Sequence, residues 1–305
     1  MNTRDFIKLK EAYAATIEGN KQDKYRTGNL IELPAKGDVV IMGDLHGNRE
    51  NFGKVVNAVD LGNHPRRHLI IQEATHTCEV GEDHSYRLHE DIAYLKSKYP
   101  HQVHIILGNH ELSELTGKEI LKGGICYNIL FRQAMKEAYG EYYPQILELF
   151  NEYIRTMPIA CNTKNGIFIS HSTPPGKYLS HYSLEFFKKG TGNKEKDDAM
   201  IEKVVWGRDL SQESADRFAR RVKSEILIVG HTACKRGYQL PNTRHIVLDS
   251  KGLFGTSLHF QLHKEYTQKS LVKKGLQFIN KKAVKNAIAK MKEEKKERKA
   301  RKSAK

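Results

Sequence analysis

Short apolar runs recur along the chain, and polar segments separate them. Runs of this length, bounded by turn residues, are typical of strands that are buried on both faces. The segments that we predict to be strands are 29–34 (NLIELP), 38–44 (DVVIMGD), 68–73 (HLIIQE), 103–108 (VHIILG), 166–171 (GIFISH), 225–231 (EILIVGH), 245–250 (HIVLDS) and 257–263 (SLHFQLH). In the last of these, apolar and polar residues alternate, which predicts one buried and one exposed face.

Apolar residues at helical spacing occupy most of the intervals between these strands. We predict helices at residues 4–19, 48–62, 85–98, 114–122, 127–139, 144–156 and 211–223, and a lysine-rich loop near 187–198. Strands and helices alternate in the first third of the chain, which is typical of a layered α/β fold.

The residues after 263 differ in composition from the rest of the chain. Residues 264–305 contain 16 Lys and Arg against four Glu, whereas residues 1–263 carry 35 basic and 32 acidic residues. We therefore predict one main domain at 1–263 and a lysine-rich extension at 264–305, which forms a helix or a frayed tail outside the core. The extension is either solvated or binds nucleic acid or another polyanion.

The composition suits a soluble globular protein, since 39% of the residues are apolar and 29% are charged. No apolar run approaches the length of about 18 residues that a transmembrane helix requires. The N-terminus also lacks the apolar centre of a signal peptide. The four cysteines, Cys78, Cys126, Cys161 and Cys234, have no paired spacing, which predicts reduced thiols. We expect a cytoplasmic protein without membrane insertion.

Metal-ligand side chains directly follow several of the predicted strands. Four strands end in VVIMGDLHG, HIILGNHE, GIFISHS and ILIVGHT, and a glutamate follows HLIIQ. In layered α/β folds, ligands collect at the carboxyl ends of strands, so residues far apart in sequence can converge there. The candidate residues are Asp44, His46, Glu73, Asn109, His110, His171 and His231.

These residue types indicate which metals the site would bind. Carboxylate, amide and imidazole ligands together favour Mn, Fe or Zn over Ca or a thiolate site. The candidates are more numerous than one ion needs, and a carboxylate can bridge two ions about 3.5–4 Å apart that act on a phosphate ester. We therefore expect two divalent ions, with Mn²⁺ preferred and Fe or Zn as alternatives. The glycines before Asp44, Asn109 and His231 would allow close backbone approach.

The order GDLHG, GNHE, ISHS and VGHT resembles that of the calcineurin-like metallophosphoesterases. The spacing is most similar to the serine/threonine protein phosphatase branch, and the similarity covers roughly residues 36–250. The resemblance implies a two-sheet β-sandwich flanked by helices, in αββα order, as a metallophosphoesterase domain at 1–263. It also implies hydrolysis of a phosphate ester by a metal-bound hydroxide in a dinuclear centre.

The resemblance implies a role for each candidate residue by its position in the motifs. The metal ligands would be Asp44 and His46 for the first ion, Asn109, His171 and His231 for the second, and Glu73 as the bridge. His110 would be the general acid that protonates the leaving oxygen.

The chain departs from the family at residues 72–78, QEATHTC, where the family has GDxVDRG. The bridging aspartate becomes Glu73, the aspartate that orients the catalytic histidine becomes His76, and the arginine that follows becomes a threonine. A second phosphate-binding arginine is replaced by Leu107, and Arg208 is the nearest candidate for a third. The chain keeps the residue types of the family's metal ligands, but it lacks the arginines that bind phosphate in the family. This favours a metallophosphoesterase in general over a protein phosphatase in particular.

Several alternatives stay open at this stage. His76 could contact His110, bind substrate, add a metal ligand or have no role. The substrate could be a phosphoprotein, a dinucleoside polyphosphate or another small phosphoester. The alternative functions are a nucleotide or nucleic-acid phosphodiesterase that the basic extension steers, and a catalytically weak scaffold.

Overall fold

The computed structural model describes residues 1–77 and 81–303, so Cys78 lies outside the described residues. The helices are α1 (Thr3–Lys21), α2 (Arg49–Val59), α3 (Tyr86–Lys98), α4 (Asn109–Thr116), α5 (Tyr127–Tyr139), α6 (Tyr143–Arg155), α7 (Leu184–Lys189), α8 (Lys194–Trp206), α9 (Gln212–Arg221), α10 (Gln268–Gly275) and α11 (Lys281–Ser303). The strands are β1 (Arg26–Thr27), β2 (Leu30–Leu33), β3 (Asp38–Asp44), β4 (Arg67–Gln72), β5 (Val103–Ile106), β6 (Leu121–Lys122), β7 (Ile125–Cys126), β8 (Ala160–Thr163), β9 (Ile167–Ser170), β10 (Ile226–Val229), β11 (Tyr238–Gln239), β12 (His245–Leu248), β13 (Thr256–Gln261) and β14 (Leu276–Phe278).

Within the described residues, the strands form two large sheets and one two-stranded ribbon. The first sheet has the order β1-β2-β8-β9-β10-β12-β11, and the second has the order β14-β13-β3-β4-β5. Apolar residues from both sheets form one buried cluster between them, and a second cluster joins the sheets to the helices. The predicted fold class, a two-sheet α/β sandwich flanked by helices, is confirmed.

Strand β3 illustrates how the sequence specifies this layering. Val39 and Ile41 belong to the cluster between the sheets, whereas Val40 and Met42 belong to the cluster that includes the helices. All of its residues are buried. Burying each such side chain contributes about 1.5–3 kcal/mol, so a continuous apolar run favours a central strand with both faces covered. The strand ends at Asp44.

The predicted helix at 114–122 is wrong in its position. The structure has α4 at Asn109–Thr116, and the helix ends at Gly117, whose φ of 75° is left-handed. Glycine adopts this conformation without a steric penalty and commonly ends helices. The helix therefore begins inside the GNHE motif and carries that motif's side chains on its first turn.

The predicted lysine-rich loop near 187–198 is only partly present. Helix α8 begins at Lys194, and the side chain of Asn193 accepts a hydrogen bond from the backbone N–H of Lys196. This N-cap stabilises the first turn. The helix buries only Met200, Val204 and Val205, and this short apolar stripe explains why the lysine-rich pattern predicts a loop.

The structure corrects the predicted boundary at residue 263. Strand β14 pairs antiparallel with β13 at the edge of the second sheet, and Leu271 of α10 is fully buried in the cluster between the sheets. The prediction that 264–305 lies outside the core is therefore wrong for residues 268–278. Their few apolar residues add one strand to an existing sheet, which a search for an amphipathic helix does not detect.

In the part of the chain that the structure describes, no helix combines the length and the apolar character needed to span a bilayer.

Candidate metal centre

The predicted site residues lie at the carboxyl ends of strands from both sheets. Strands β3, β4 and β5 are parallel in one sheet, and β9, β10 and β12 are parallel in the other. The backbone N–H of Ser250, after β12, donates a 3.0 Å hydrogen bond to the Asp44 carbonyl at the end of β3, so the two sheets meet here. The residues at this edge are Asp44, His46, Glu73, Asn109, His110, His171 and His231.

Three of these residues have a left-handed backbone. The φ angles are 46° at His46, 28° at Glu73 and 62° at His231. Such conformations cost on the order of 1–3 kcal/mol each and persist only where the surroundings hold them. Here the N–H groups of Leu45 and His46 both donate to the Glu73 carbonyl, at 2.8 and 3.1 Å. The backbone is thus fixed in the conformation that points these side chains into the site.

The buried carboxylate of Glu73 lies at the centre of the site. Its Oε1 atom is 3.2 Å from His46 Nε2 and 3.8 Å from His110 Nε2. Its Oε2 atom is 2.9 Å from His171 Nε2. Glu73 therefore presents one oxygen to each of two groups of possible metal ligands, His46–Glu73–His110 and Glu73–His171–His231.

Asn109 completes the second group. Its Oδ1 atom is 2.9 Å from His171 Nε2 and 2.7 Å from His231 Nδ1. Asp44 lines the same cavity, and its Oδ1 atom is 3.7 Å from His171 Nδ1. Asp44 is not part of either group of close ligand atoms among the described residues. The structure therefore brings all seven predicted residues to one site, with Asp44 at its margin.

The electrostatics of the site favour a bound cation. Burial, followed by the Glu73 charge, raises the pKa of Asp44 to about 7. Burial also raises the pKa of Glu73, but the imidazoles of His110, His171 and His46 outweigh it and hold the pKa well below its ordinary value. Burial and the charge of His171 lower the pKa of His231 to about 3, which keeps this imidazole neutral. Burial lowers the pKa of His171, but the charge of Glu73 outweighs it and raises the pKa. Imidazole and carboxylate side chains together are suitable metal ligands.

Unsatisfied polar atoms also fit a metal. Asp44 Oδ1, His171 Nδ1 and His231 Nε2 are buried without a hydrogen-bond partner among the described residues. Buried polar atoms are normally hydrogen-bonded, and a bound ion is one of the partners that can satisfy such atoms. The set of oxygen and imidazole donors suits a divalent first-row metal. The residues at this site therefore fit the metal that their types predict.

Atoms of the site lie close to Gly230, the residue directly before His231. A Cβ atom at this position would lie 2.1 Å from Asp44 Oδ1. We expect that Gly230→Ala displaces the Asp44 carboxylate and lowers Mn²⁺ affinity about 10- to 100-fold, as changes around ligands typically do. Calorimetric titration of the metal-free protein with Mn²⁺ measures this effect. Gly53→Ala is the matched control, because among the described residues no atom outside its own stretch of α2 lies within 4 Å of its Cβ position. Equal affinities in the two variants would contradict the assignment of Asp44.

His76 does not lie where the substrate-binding prediction put it. The residue is fully buried and its Nδ1 atom is 3.0 Å from His110 Nδ1. It does not line the cavity that Asp44, Glu73 and His110 line. The prediction that His76 binds substrate is therefore wrong, and the alternative, contact with His110, is what the structure has.

An open cavity of about 850 Å³ covers the candidate metal ligands. Arg208, the candidate for binding phosphate, lines the cavity and donates a 3.3 Å hydrogen bond to the His231 carbonyl. Lys122, Lys235 and Lys251 also line it. Lys251 Nζ lies 3.5 Å from the carbonyl oxygen of Thr77, the residue at the position of the family's missing arginine. The carboxylates of Glu119 and Asp249 line the cavity as well. The four cationic side chains beside the candidate metal ligands suit an anionic substrate.

Two glutamates of α4 lie at the site but were not among the predicted site residues. Glu111 Oε1 accepts hydrogen bonds from the backbone N–H groups of Ala74 and Thr75 at 2.8 and 2.9 Å, which fixes the loop after Glu73. Glu114 Oε1 is 3.0 Å from His76 Nε2. The only signal in the sequence was the segment HELSE at residues 110–114. If a helix starts at Asn109, this spacing puts His110 and Glu114 on one helix face.

Comparison with known proteins agrees with the site. The profile of the calcineurin-like phosphoesterase family matches residues 37–235. A probable serine/threonine-protein phosphatase of Encephalitozoon cuniculi is 23% identical over 235 residues, which cover 72% of this chain and 48% of that protein. The chain thus spans about half the length of this relative.

Solved phosphatase structures share the fold. A Saccharomyces cerevisiae protein serine/threonine phosphatase with similarity to human phosphatase PP5 superposes with a TM-score of 0.63 at 18% identity, covering 88% of both chains. A cold-active protein-tyrosine phosphatase of a psychrophilic Shewanella species gives 0.56 at 15% identity, covering 79% of this chain and 80% of that one.

The fold is shared with solved phosphatases, and the residues at the site suit divalent metal ions. The chain belongs to the calcineurin-like phosphoesterase family, which confirms the predicted resemblance.

Proposed function

We propose that this protein hydrolyses phosphate monoesters with two divalent metal ions, Mn²⁺ being the preferred ion and Fe or Zn the alternatives. The observation that carries the proposal is the position of Glu73, whose two oxygens face two separate groups of ligand atoms. A carboxylate in this position suits a bridge between two ions. The longer glutamate side chain would serve where the family has aspartate.

The proposed ligands divide between the two ions. The ligands of the first ion are Asp44, His46 and Glu73, and those of the second are Glu73, Asn109, His171 and His231. When bound, such ions polarise the phosphoryl oxygens and supply a nucleophile from water at neutral pH. These residues follow the ends of strands or lie on the first turn of α4, and they would hold the ions in a fixed arrangement.

His110 is the proposed general acid. Its Nε2 atom lies 3.8 Å from Glu73 Oε1 and the residue lines the cavity. A proton held on Nε2 can therefore pass to the leaving oxygen of an ester bound beside Glu73. The ring's other nitrogen faces His76 in the protein interior, so only Nε2 is placed for this transfer.

The proposed substrate is a phosphorylated protein side chain or a small phosphomonoester. Arg208 and Lys251 line the cavity and would bind phosphate oxygens in place of the family's arginines. The cavity is open enough for a side chain on a protein surface to enter, and the Encephalitozoon cuniculi relative is named as a probable serine/threonine-protein phosphatase.

We further propose a cytoplasmic location, which the free state of Cys126, Cys161 and Cys234 supports. Polyanion binding by the lysine-rich extension at 264–305 stays a prediction from charge alone.

Hydrolysis of p-nitrophenyl phosphate and of its bis ester by the Mn²⁺-loaded protein tests the proposal. We expect that the monoester is cleaved at least about 10-fold faster, because a dianionic phosphate attracts both ions and the cavity's cations. Asp44→Asn should remove this hydrolysis. Faster cleavage of the bis ester would favour a phosphodiesterase. Cleavage of neither ester, with Asp44→Asn indistinguishable from the unmodified protein, would favour the scaffold alternative.

A further inference from the structure

We propose that Glu114 is a positioning residue that orients His110 through His76. The inference rests on the proposed function, in which His110 is the general acid. Its basis is an unbroken chain of hydrogen bonds that leads from His110 away from the cavity to a buried carboxylate.

The chain has two links. His110 Nδ1 lies 3.0 Å from His76 Nδ1, and His76 Nε2 lies 3.0 Å from Glu114 Oε1. The side chains of His76 and Glu114 are 0% and 1% exposed. Water therefore does not compete for these bonds, and each is stronger than it would be at the surface.

The far end of the chain is itself held in place. Glu114 Oε1 also accepts a 2.6 Å hydrogen bond from Asn128 Nδ2, and Glu114 Oε2 accepts one of 2.9 Å from Arg132 Nε. These donors compensate the buried negative charge, which would otherwise be costly. Both come from α5, so packing between α4 and α5 fixes the carboxylate that His76 contacts.

The loop that carries His76 is also fixed. The backbone N–H of His76 donates a 2.8 Å hydrogen bond to Ser85 Oγ, and its φ of 61° is left-handed. The ring packs against Phe131, with centroids 5.6 Å apart. A strained backbone held by several contacts is typical of residues with a positioning role.

The chemistry of imidazole determines the direction of each bond. A carboxylate only accepts, so His76 donates from Nε2 to Glu114, and the Nδ1 atom of a neutral His76 is then an acceptor. We infer that His110 donates its Nδ1 hydrogen to that acceptor. This leaves His110 Nε2 towards the cavity as the atom that exchanges its proton with a substrate. In the family an aspartate orients the histidine directly, whereas here a second imidazole lies between.

Leaving-group dependence distinguishes this role from a merely structural one. A general acid matters most when the leaving oxygen is basic. We expect that Glu114→Leu lowers kcat on phenyl phosphate about 100-fold but on p-nitrophenyl phosphate less than about 5-fold. Glu114→Gln keeps an acceptor oxygen and should restore most of the loss on phenyl phosphate. Gln133→Met, which lies on the same helix and loses only an exposed 3.0 Å hydrogen bond to Glu137, is the control and should leave both rates unchanged.

A second readout does not depend on turnover. In metal-free protein labelled with ¹⁵N-histidine, the protonated and unprotonated ring nitrogens have separate resonances. We expect His76 to carry its hydrogen on Nε2 alone, and to lose this preference in Glu114→Leu but keep it in Glu114→Gln. The His76→Ala variant assigns the signals.

The outcomes separate the two proposals. Equal losses on both esters in Glu114→Leu, or an Nδ1 hydrogen on His76, would overturn the positioning role. If Glu114→Leu does not fold, the double variant His76→Asp with Glu114→Gln provides the same test. In this variant a carboxylate oxygen at residue 76 replaces the Nδ1 acceptor. The double variant should therefore retain the activity on phenyl phosphate that His76→Ala loses. Absence of hydrolysis by the unmodified protein would contradict the proposed function, while the nitrogen signals would still decide the hydrogen-bond chain.

Discussion

Replacing Glu73 with alanine should lower bound Mn²⁺ from two ions per chain to one or fewer and remove hydrolysis of p-nitrophenyl phosphate. The physical reason is that Glu73 is the only residue present in both groups of ligand atoms among the described residues. Its loss removes the one negative charge that both ions would share and takes away the carboxylate that His46 and His171 both contact. Elemental analysis of the purified variant measures the metal, and circular dichroism checks the fold.

The controls for Glu73 separate charge from position. Glu73→Asp restores the family's shorter carboxylate and should keep at least one ion in place. Glu82→Ala removes a carboxylate of the loop before α3, whose side chain is 73% exposed, and should retain both ions. Two ions retained in Glu73→Ala would remove Glu73 from the metal centre.

Replacing His110 with alanine should lower kcat about 10²- to 10⁴-fold on esters with a basic leaving oxygen. The metal content should stay unchanged, because the proposed ligands of both ions remain. The effect on p-nitrophenyl phosphate should be smaller, since its leaving group departs without a proton. Steady-state rates over a series of aryl and alkyl phosphates measure the dependence.

The control for His110 is His84→Ala, which removes an exposed imidazole in the loop before α3. It should match the unmodified protein on every ester. A loss of bound metal in His110→Ala would instead identify His110 as a ligand. This alternative has a geometric basis, since His110 Nε2 belongs to one of the two groups of ligand atoms.

The positions of the candidate ligands were predictable, because the short apolar runs that indicate the strands also indicate where the residues after them lie. A short apolar run such as residues 38–44 can be stable only in the interior, and parallel strands carry the residues after them to one edge. Knowing where β3, β4 and β5 end was therefore enough to bring Asp44, Glu73 and Asn109 together. The two-sheet arrangement itself followed from the family resemblance rather than from periodicity.

The hydrogen bonds that link His110 to His76 and His76 to Glu114 were not predictable from the sequence. Glu114 belongs to the site only because α4 begins at Asn109, five residues earlier than its apolar pattern suggests. The helix starts after Gly108, an extended residue at which a Cβ atom would lie 2.8 Å from Glu73 Oε2. That approach is a tertiary contact, and no local pattern of helix formation reports it. His76 was likewise placed by Ser85 and Glu114, which are distant in the chain.

The strand β14 was missed for a related reason. Its three residues, Leu276–Phe278, carry too little apolar character to predict a strand. They become one because β13 offers an unpaired edge, to which Thr256 and Leu258 bring complementary hydrogen-bonding groups. Composition indicated a basic extension but not where the folded core ends.

The number of Mn²⁺ ions bound per chain, measured by elemental analysis while hydrolysis of p-nitrophenyl phosphate is followed, tests the central claim most directly. The metal-free protein would be loaded stepwise with Mn²⁺ and freed of unbound ion at each step. Glu73 between two groups of ligands predicts saturation at two ions, with turnover that rises chiefly as the second ion binds. Full turnover with a single ion per chain, or with none, would contradict it.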